Sequence, residues 1–476
     1  MDAAPPISSP GPDEPDESPP GRLALMVRAL SHRNYRLFFA GQLISLVGTF
    51  LTQVATVWLV YYLTHKPLLL GITGFAGQIP MFLLAPFAGV WVDRWNRRRM
   101  LIVTQTLAML QSFALAALAI TADPAHPQLV VSGIIGLAVV QGIINAFDLP
   151  GRQAFLVELV DRREDLANAI ALNSTMVHGA RLVGPAIAGF VIHALGESAR
   201  SAGWCFFIDG VTYIAVIAAL LMIRVPPRPA RVDGRSVLHD LHEGLRYVFG
   251  SAPIRAMLLL MAILSLTGMP AFSILMPVFA EHFGGKAHSA QDLGLLMGAS
   301  GFGALIGAIY LASRRTVVGL GRVIAIASFL FGGALIAFSF SRSFWLDLTI
   351  VPIGGLGMII CFASANTLLQ TLTEDRMRGR VMSFFTMAFV GMTPWGNLLA
   401  GMAASKLGKP GAEVVGASHT LLIAGAIVLI ASASFAMKLP ALRRIVRPIY
   451  VKRGIIPPEI AEGLQTAAEV AGGAEG

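Results

Sequence analysis

Twelve apolar runs, each close to the roughly 20 residues that a helix needs to cross about 30 Å of hydrocarbon, divide this chain. They fall near residues 37–62, 69–92, 100–121, 128–147, 168–193, 203–223, 257–280, 291–312, 322–340, 344–370, 381–405 and 416–437, called spans 1 to 12 below. Composition agrees: 55% of the 476 residues are hydrophobic and 13% charged, with a mean hydropathy of +0.69, outside the range of soluble domains. The expected fold is an all-α integral membrane protein whose twelve transmembrane helices form two six-helix bundles.

A net charge of +9 would suit a nucleic-acid partner if the positive residues clustered on one soluble face. They do not. With the N-terminus in the cytoplasm, about 29 of the 36 Lys and Arg fall on the cytoplasmic side and about 6 outside, as the positive-inside rule requires. The basicity is topological and implies no nucleic acid. The chain is expected in the inner (plasma) membrane, as a monomer, with both ends cytoplasmic. Residues 1–21, rich in Pro, Ser, Asp and Glu, read as a disordered tail rather than a cleaved signal peptide, so span 1 is its own insertion signal. Two cysteines, Cys205 and Cys361, both inside spans, give no disulfide framework or metal cluster.

The longest interior polar stretch separates the spans six and six. An N-terminal bundle (22–223) is therefore expected to join a C-terminal bundle (255–438) through a linker (224–254), with a cytoplasmic tail at 439–476. Pro226, Pro227 and Pro229 end span 6. Val237, Leu238, Leu241, Leu245, Val248 and Phe249 then recur at helical spacing, as in an amphipathic helix lying on the membrane surface; a passive linker is the plainer alternative. Gly184, Ala188 and Gly189 of GPAIAG in span 5 match Gly396, Ala400 and Gly401 of GNLLAG in span 11 at one constant offset. Each span is fifth in its half, as in transporters built from repeats around a midplane site.

GVWVDRWNRRR, Gly89 to Arg99, joins spans 2 and 3. Asp93 closes a helix at its negative end and needs a positive partner, whereas Arg94, Arg97, Arg98 and Arg99 suit that end. The loop must turn sharply, and Asn96 is among the few non-glycine residues that tolerate a left-handed conformation there. This spacing resembles the helix 2–3 signature of the major facilitator superfamily, with Asn96 where glycine is usual. NYRLFFAGQLISLVGTF with WLVYYLT, FDLPGRQAFLVELV and RGRVMSFFTMAFVGMTPWGNLLAG extend the resemblance over roughly residues 32 to 440. They are similar to the transmembrane secretion effector branch, which holds the enterobactin exporter and macrolide-efflux proteins. The resemblance implies a gating motif of Gly89, Asp93, Arg94, Arg97 and Arg98, in which Asp93 latches near Arg380 when the cytoplasmic side is shut. It also implies that Arg181, Gly184, Pro185 and Gly189 form an exporter-like motif on span 5, with Ala188 where glycine is usual. Pro185 and Gly184 favour a kink and a close helix approach; packing without directional meaning is the alternative.

Arg181 lies about 16 Å below the outer face, too deep to snorkel easily, so it must face protein or water. An intramembrane charge is a functional candidate by default. Its first-choice partner is Asp209 of FFIDGVTY, about 9 Å below the same face; the other is an acidic group on a substrate. A purely structural pair remains open. Drug–proton antiporters of the superfamily carry an arginine ahead of a Gln-Gly pair in span 4, whereas Gln141-Gly142 here follows Ala138. Their proton relay therefore does not transfer directly. Arg181 with Asp209 or Asp148 is the substitute proposed for coupling to protons, since a carboxylate in a low-dielectric cavity can exchange a proton in use.

Gln42, Ser45, Thr49, Gln53 and Thr56 form a polar stripe on span 1, and Ser174, His178 and Arg181 another on span 5. With Asn366 and Asn397 they are the expected cavity and substrate contacts, although such residues also simply join helices. Met257, Met261, Met269, Met276, Met382, Met387 and Met392 suit an adaptable apolar wall, or ordinary packing. GFGALIG, Gly301 to Gly307, sits inside an apolar span and reads as close helix packing rather than a nucleotide fingerprint. No nucleophile and base constellation, Walker lysine or HExxH is legible, so no enzyme, cofactor or metal is expected.

The expected function is secondary active transport, a proton-coupled export of amphipathic small molecules (drug, macrolide or siderophore) by alternating access. Lysophospholipid movement is a second transport reading, separable by lipid loading in vesicles. A non-transporting sensor or assembly subunit is a third. It would use the tail with Arg443, Arg444, Arg447, Lys452 and Arg453 for docking, and retained efflux after tail deletion would argue against it.

Overall fold

The computed structural model describes residues 27–123, 125–160, 162–225, 237–314 and 316–457, without the side chains of residues 85, 86, 89, 90, 93, 94, 163 and 237–242. The expected tail 1–21, the prolines Pro226, Pro227 and Pro229, and residues 458–476 lie outside it. In hydrocarbon, backbone N–H and C=O groups must find partners within their own segment, which favours helices. The described residues are accordingly helical almost throughout.

One half comprises α1 (Arg33–Thr64), α2 (Pro67–Arg94), α3 (Arg97–Ile120), α4 (Pro127–Leu156), α5 (Arg163–Ala194) and α6 (Ala199–Met222). A linker helix α7 (Val237–Gly250) leads to α8 (Ala252–Ile263), a π-turn (Leu264–Gly268), α9 (Met269–Ile274), α10 (Met276–Ser313), α11 (Leu320–Phe340), α12 (Phe344–Leu372), α13 (Arg378–Phe389), α14 (Thr393–Leu407) and α15 (Glu413–Lys452). Ten helical segments among the described residues are long and apolar enough to cross a membrane. Two local features set that number below twelve. Ala252–Ser313 runs as one segment of 62 residues, although Gly285 breaks the helix within it (φ 60°, ψ −169°). The eleventh apolar run is split into α13 and α14, each too short alone. The π-turn precedes Pro270, which has no N–H to continue an α-helical ladder.

Asn96 corrects one expectation. Its backbone is extended (φ −66°, ψ 108°), and its side chain accepts from the Arg99 N–H at 3.0 Å as the N-cap of α3. An asparagine just before a helix satisfies an otherwise orphaned N–H, and that role needs no left-handed turn.

Within the first half α1 packs on α5 and α6, α3 on α4 and α6, and α2 on α4; in the second, α10 packs on α12, α11 on α12 and α15, and α14 on α15. The halves meet along α5 against α10 and α2 against α14. Glycines permit both contacts. A Cβ on Gly189 would lie 3.0 Å from Gly294 Cα, and one on Gly71 would lie 3.0 Å from Gly401 Cα. The repeat visible in sequence is thus one contact made twice, from the fifth apolar run of each half to the second of the other. Gly184 and Gly396 are matched likewise, the first against Val47 and Phe50 of α1, the second against Leu266 and Pro270. In GFGALIG, Gly301 faces Arg181 of α5 while Gly303 faces Pro352 of α12, in keeping with close helix packing.

Both glycine contacts lie toward the end of the bundle away from the start of α1, here the far end. Polar links between the halves reinforce it. Trp58 Nε1 donates to Ser289 Oγ at 2.9 Å, Ser289 Oγ donates to Glu197 Oε2 at 2.9 Å, and His65 meets Glu281 at 3.1 Å. At the near end, Ser174 of α5 and Thr367 and Gln370 of α12 are exposed.

The linker helix forms where its periodicity predicts, but it is docked. Glu243 pairs with Arg380 and, at 3.2 Å, with Arg376, and Gly244 abuts Phe384 of α13. Val248 is buried, while Leu245 and Phe249 remain exposed. Helix α15 continues past residue 438, where a tail was expected, through Pro440 and Pro448 to Lys452. Burial of Leu442 and Tyr450 holds this extension against the second half.

Candidate functional site: a cavity between the halves

A cavity of about 430 Å³ opens where the halves meet. Its two walls differ in chemistry. The first half contributes Thr49, Thr52, Gln53 and Thr56 from α1, with Gln78, Gln111, Gln141 and Asn145 from α2, α3 and α4. The second half contributes Met269, Phe272, Met276, Met297 and Met358, together with Ser273, Ser300, Thr393 and Asn397. Hydroxyls and amides can orient a ligand's polar groups, while thioethers and a phenyl ring adapt to its apolar body. Among the described residues, the two charged ones lining the cavity, Arg181 and Asp209, come from the first half.

Asp209 projects from α6 toward α1. Thr52 Oγ1 and Ser112 Oγ each donate to its Oδ2 at 2.8 Å, while Oδ1 has no partner. Close approach requires glycine opposite: a Cβ on Gly48 would stand 2.6 Å from Asp209 Oδ1 and 2.3 Å from Thr212 Oγ1. Arg181 does not pair with Asp209, contrary to the sequence-based expectation. Its guanidinium stands 5.6 Å from the centre of the Phe50 ring, a favourable cation–π arrangement. Helix α1 packs against both α5 and α6 and carries Phe50 and Thr52 between the two charges. Helical rise gives a position along each axis, whereas rotation about the axis decides which side chains meet.

Asp148 has a different environment, outside this cavity. It accepts from Thr104 Oγ1 at 2.8 Å and Gln105 Nε2 at 2.7 Å, and pairs with Arg152 Nε at 2.7 Å. Arg152 Nη1 donates in turn to Gln42 Oε1 at 3.0 Å. Sequence reasoning missed Arg152, although its position one turn after Asp148 in FDLPGR signalled an intrahelical pair.

Of the expected cavity contacts, Thr49, Gln53, Thr56 and Asn397 line the space, and Asn397 Oδ1 has no partner. The others do not. Gln42 serves Arg152; Ser45 is buried, and its carbonyl accepts from Thr49 Oγ1 at 3.0 Å. Ser174 is exposed at the near end and donates to Ile170 O, and Asn366 Oδ1 accepts from Gln370 at 2.5 Å. His178 is half-buried, one turn before Arg181, with Nδ1 unpartnered. These stripes are longer than the cavity is tall, so only part of each reaches it. The methionine wall is likewise corrected: Met269 and Met276 line it, Met257 and Met261 are packed in the core, and Met382, Met387 and Met392 lie elsewhere.

The gating motif is partly visible. Gly89, Asp93 and Arg94 fall in α2, with Asp93 and Arg94 among the side chains outside the described set. Arg97 pairs with Glu158 at 2.5 Å. Arg98 donates to the carbonyls of Leu220 and Leu221, both at 2.7 Å, and so satisfies the C-terminal end of α6. Arg380 reaches Glu243 of the linker helix. Among the described residues no cluster of three His, Cys, Asp or Glu is placed to hold a metal ion.

Comparison with known proteins places this geometry in context. A family described as transmembrane secretion effector matches residues 26–445. The staphyloferrin A transporter of Staphylococcus aureus is 28% identical over 78% of this chain and 90% of its own. The multidrug efflux pump Tap of Mycolicibacterium fortuitum is 25% identical over 84% of this chain and 93% of its own. The enterobactin exporter EntS of Escherichia coli O1:K1 is 25% identical over 84% and 92%. The crystal structure of the nucleoside transporter NupG superposes with a TM-score of 0.64 over 85% of this chain and 99% of that one, at 12% identity, a likeness of fold alone.

Proposed function

The chain belongs to the transmembrane secretion effector family of the major facilitator superfamily, a family of membrane transporters rather than enzymes, and from that premise we propose a proton-coupled exporter of amphipathic small molecules. The chain crosses the bilayer twelve times in this reading. The segment broken at Gly285 supplies two crossings, and α13 with α14 supplies one. Both termini then share the near end, which carries most of the arginines and is cytoplasmic.

The cavity carries the proposal. It combines amides and hydroxyls with a group of methionines supplied by the second half, and it holds Arg181 and Asp209 apart at the junction of the halves. Arg181 binds an anionic group of the substrate, such as a carboxylate or catecholate. Asp209 takes up and releases the proton, since its Oδ1 has no partner and no guanidinium fixes its charge. Paired Asp148 stays ionised and structural. Alternating access follows from the glycine contacts, which let one half rock on the other and seal the far end while the near end is open. The names of the relatives favour a siderophore or a drug as cargo, and none of them suggests a lysophospholipid or a non-transporting role.

The experiment is transport by the purified protein in vesicles carrying a pH gradient, with siderophores, macrolides, cationic dyes and lysolipids offered in turn. Accumulation of a siderophore or drug that collapses with the gradient is expected. Transport indifferent to the gradient would remove the coupling proposal, and movement of lysolipids alone would replace the substrate class.

A further inference from the structure

A second cavity lies in the other half, remote from the transport cavity. This trough of about 280 Å³ is bounded by the extension of α15, the start of α11, the end of α12 and the start of α8. Phe435, Leu439, Leu442, Val446 and Tyr450 recur along one face of α15 and make its floor, with Leu368 and Leu372 of α12 beside them. Arg443 and Arg447 flank that stripe, and Arg322 faces them from α11. No described residue lining the trough is acidic, and the positive fields of Arg322 and Arg447 both bear on Arg443. Arg322 and Arg443, two like charges beside one apolar slot, favour an anion between them.

We propose that this trough binds the phosphate headgroup of an anionic phospholipid. Apolar residues of α12 and α15 make the floor and guanidinium groups stand along its side, so the trough offers matching surfaces to a lipid's first methylenes and to its phosphate. Basic pockets between helices at this level suit such headgroups. A free phosphate would gain nothing from the apolar floor, whereas a glycerol and the first methylenes of two chains would cover it. The bound lipid ties α11 to the extension of α15 that continues past Pro440.

The test uses the full-length protein in detergent, titrated with phosphatidylglycerol, phosphatidylcholine or inorganic phosphate, with retained lipid counted by native mass spectrometry. Phosphatidylglycerol should be retained over phosphatidylcholine. Its retention should fall about tenfold or more in a double Arg322→Gln, Arg443→Gln variant, persist with lysine at both positions, and be unchanged by Arg342→Gln, a far-end control. Equal retention of the two lipids overturns the proposal without any variant. So does undiminished retention in the glutamine pair, or equal loss in the lysine pair. Displacement of phosphatidylglycerol by an equal concentration of inorganic phosphate would make the site one for a free anion.

Discussion

Gly189 and Gly294 meet across the halves with no side chain between them: a Cβ on Gly294 would lie 2.8 Å from Gly189 Cα and 2.5 Å from Pro185 O. Backbone cannot yield as a side chain does, so Gly294→Val should hold the far end apart. Overpacking of this kind costs about 1–3 kcal/mol, enough to lower the sealed population about tenfold. Thiol labelling of a Gln53→Cys variant from the far side should rise while transport falls. Unchanged labelling would mean that the seam does not close the cavity. Gly71→Val, at the matching contact with Gly401, should behave alike.

Asp148 and Asp209 should separate by stability. Arg152→Ala leaves a buried Asp148 without its ion-pair partner, and breaking a buried pair costs about 3 kcal/mol or more, seen as a lower unfolding midpoint in detergent. Asp209→Asn removes a buried charge that has no basic partner, so its midpoint should stay within about 1 kcal/mol of wild type or rise. The reverse order would contradict the assignment of Asp148 to structure.

Arg181→Ala should weaken binding of an anionic substrate about 10- to 100-fold, the worth of a charge-assisted hydrogen bond or two. Neutral substrates should be affected far less. Arg181→Lys should recover part of the loss, because a lysine keeps the charge but lacks the planar fork. Equilibrium binding measured with one acidic and one neutral ligand distinguishes these outcomes.

Glu243 fixes the linker helix to α13 through Arg380 and Arg376. A partly exposed network of this type is worth about 0.5–1 kcal/mol, so Glu243→Gln should speed amide exchange across residues 243–250 several-fold and leave α5 unaffected. Exchange that does not change would show that burial of Val248 and the contact of Gly244 with Phe384 hold the helix without the ion pairs.

Much of the architecture was legible because hydrocarbon imposes a length and a sign. Apolar runs gave the helices, and the repeated GxxxAG spacing marked the matched glycines. What sequence could not supply was rotation about each helix axis. Arg181 and Asp209 both line the cavity, yet side chains of α1 stand between them. Gln42 and Ser45 continue the cavity stripe in sequence but pass below the space, where Arg152 and the α1 backbone take them up. Asn96 was judged by what its backbone tolerates, when its side chain as a cap decides its role. Arg98 resembled one more inside-positive charge, and only the position of the α6 terminus reveals what it binds.

Proton-driven transport by wild type and Asp209→Asn in the same vesicles tests the central claim most directly. With the vesicle lumen acidic, so that protons run outward as substrate enters, wild type should accumulate substrate against its concentration, while Asp209→Asn should lose that accumulation but still exchange labelled for unlabelled substrate across the membrane. Full gradient-driven accumulation by Asp209→Asn would contradict the account.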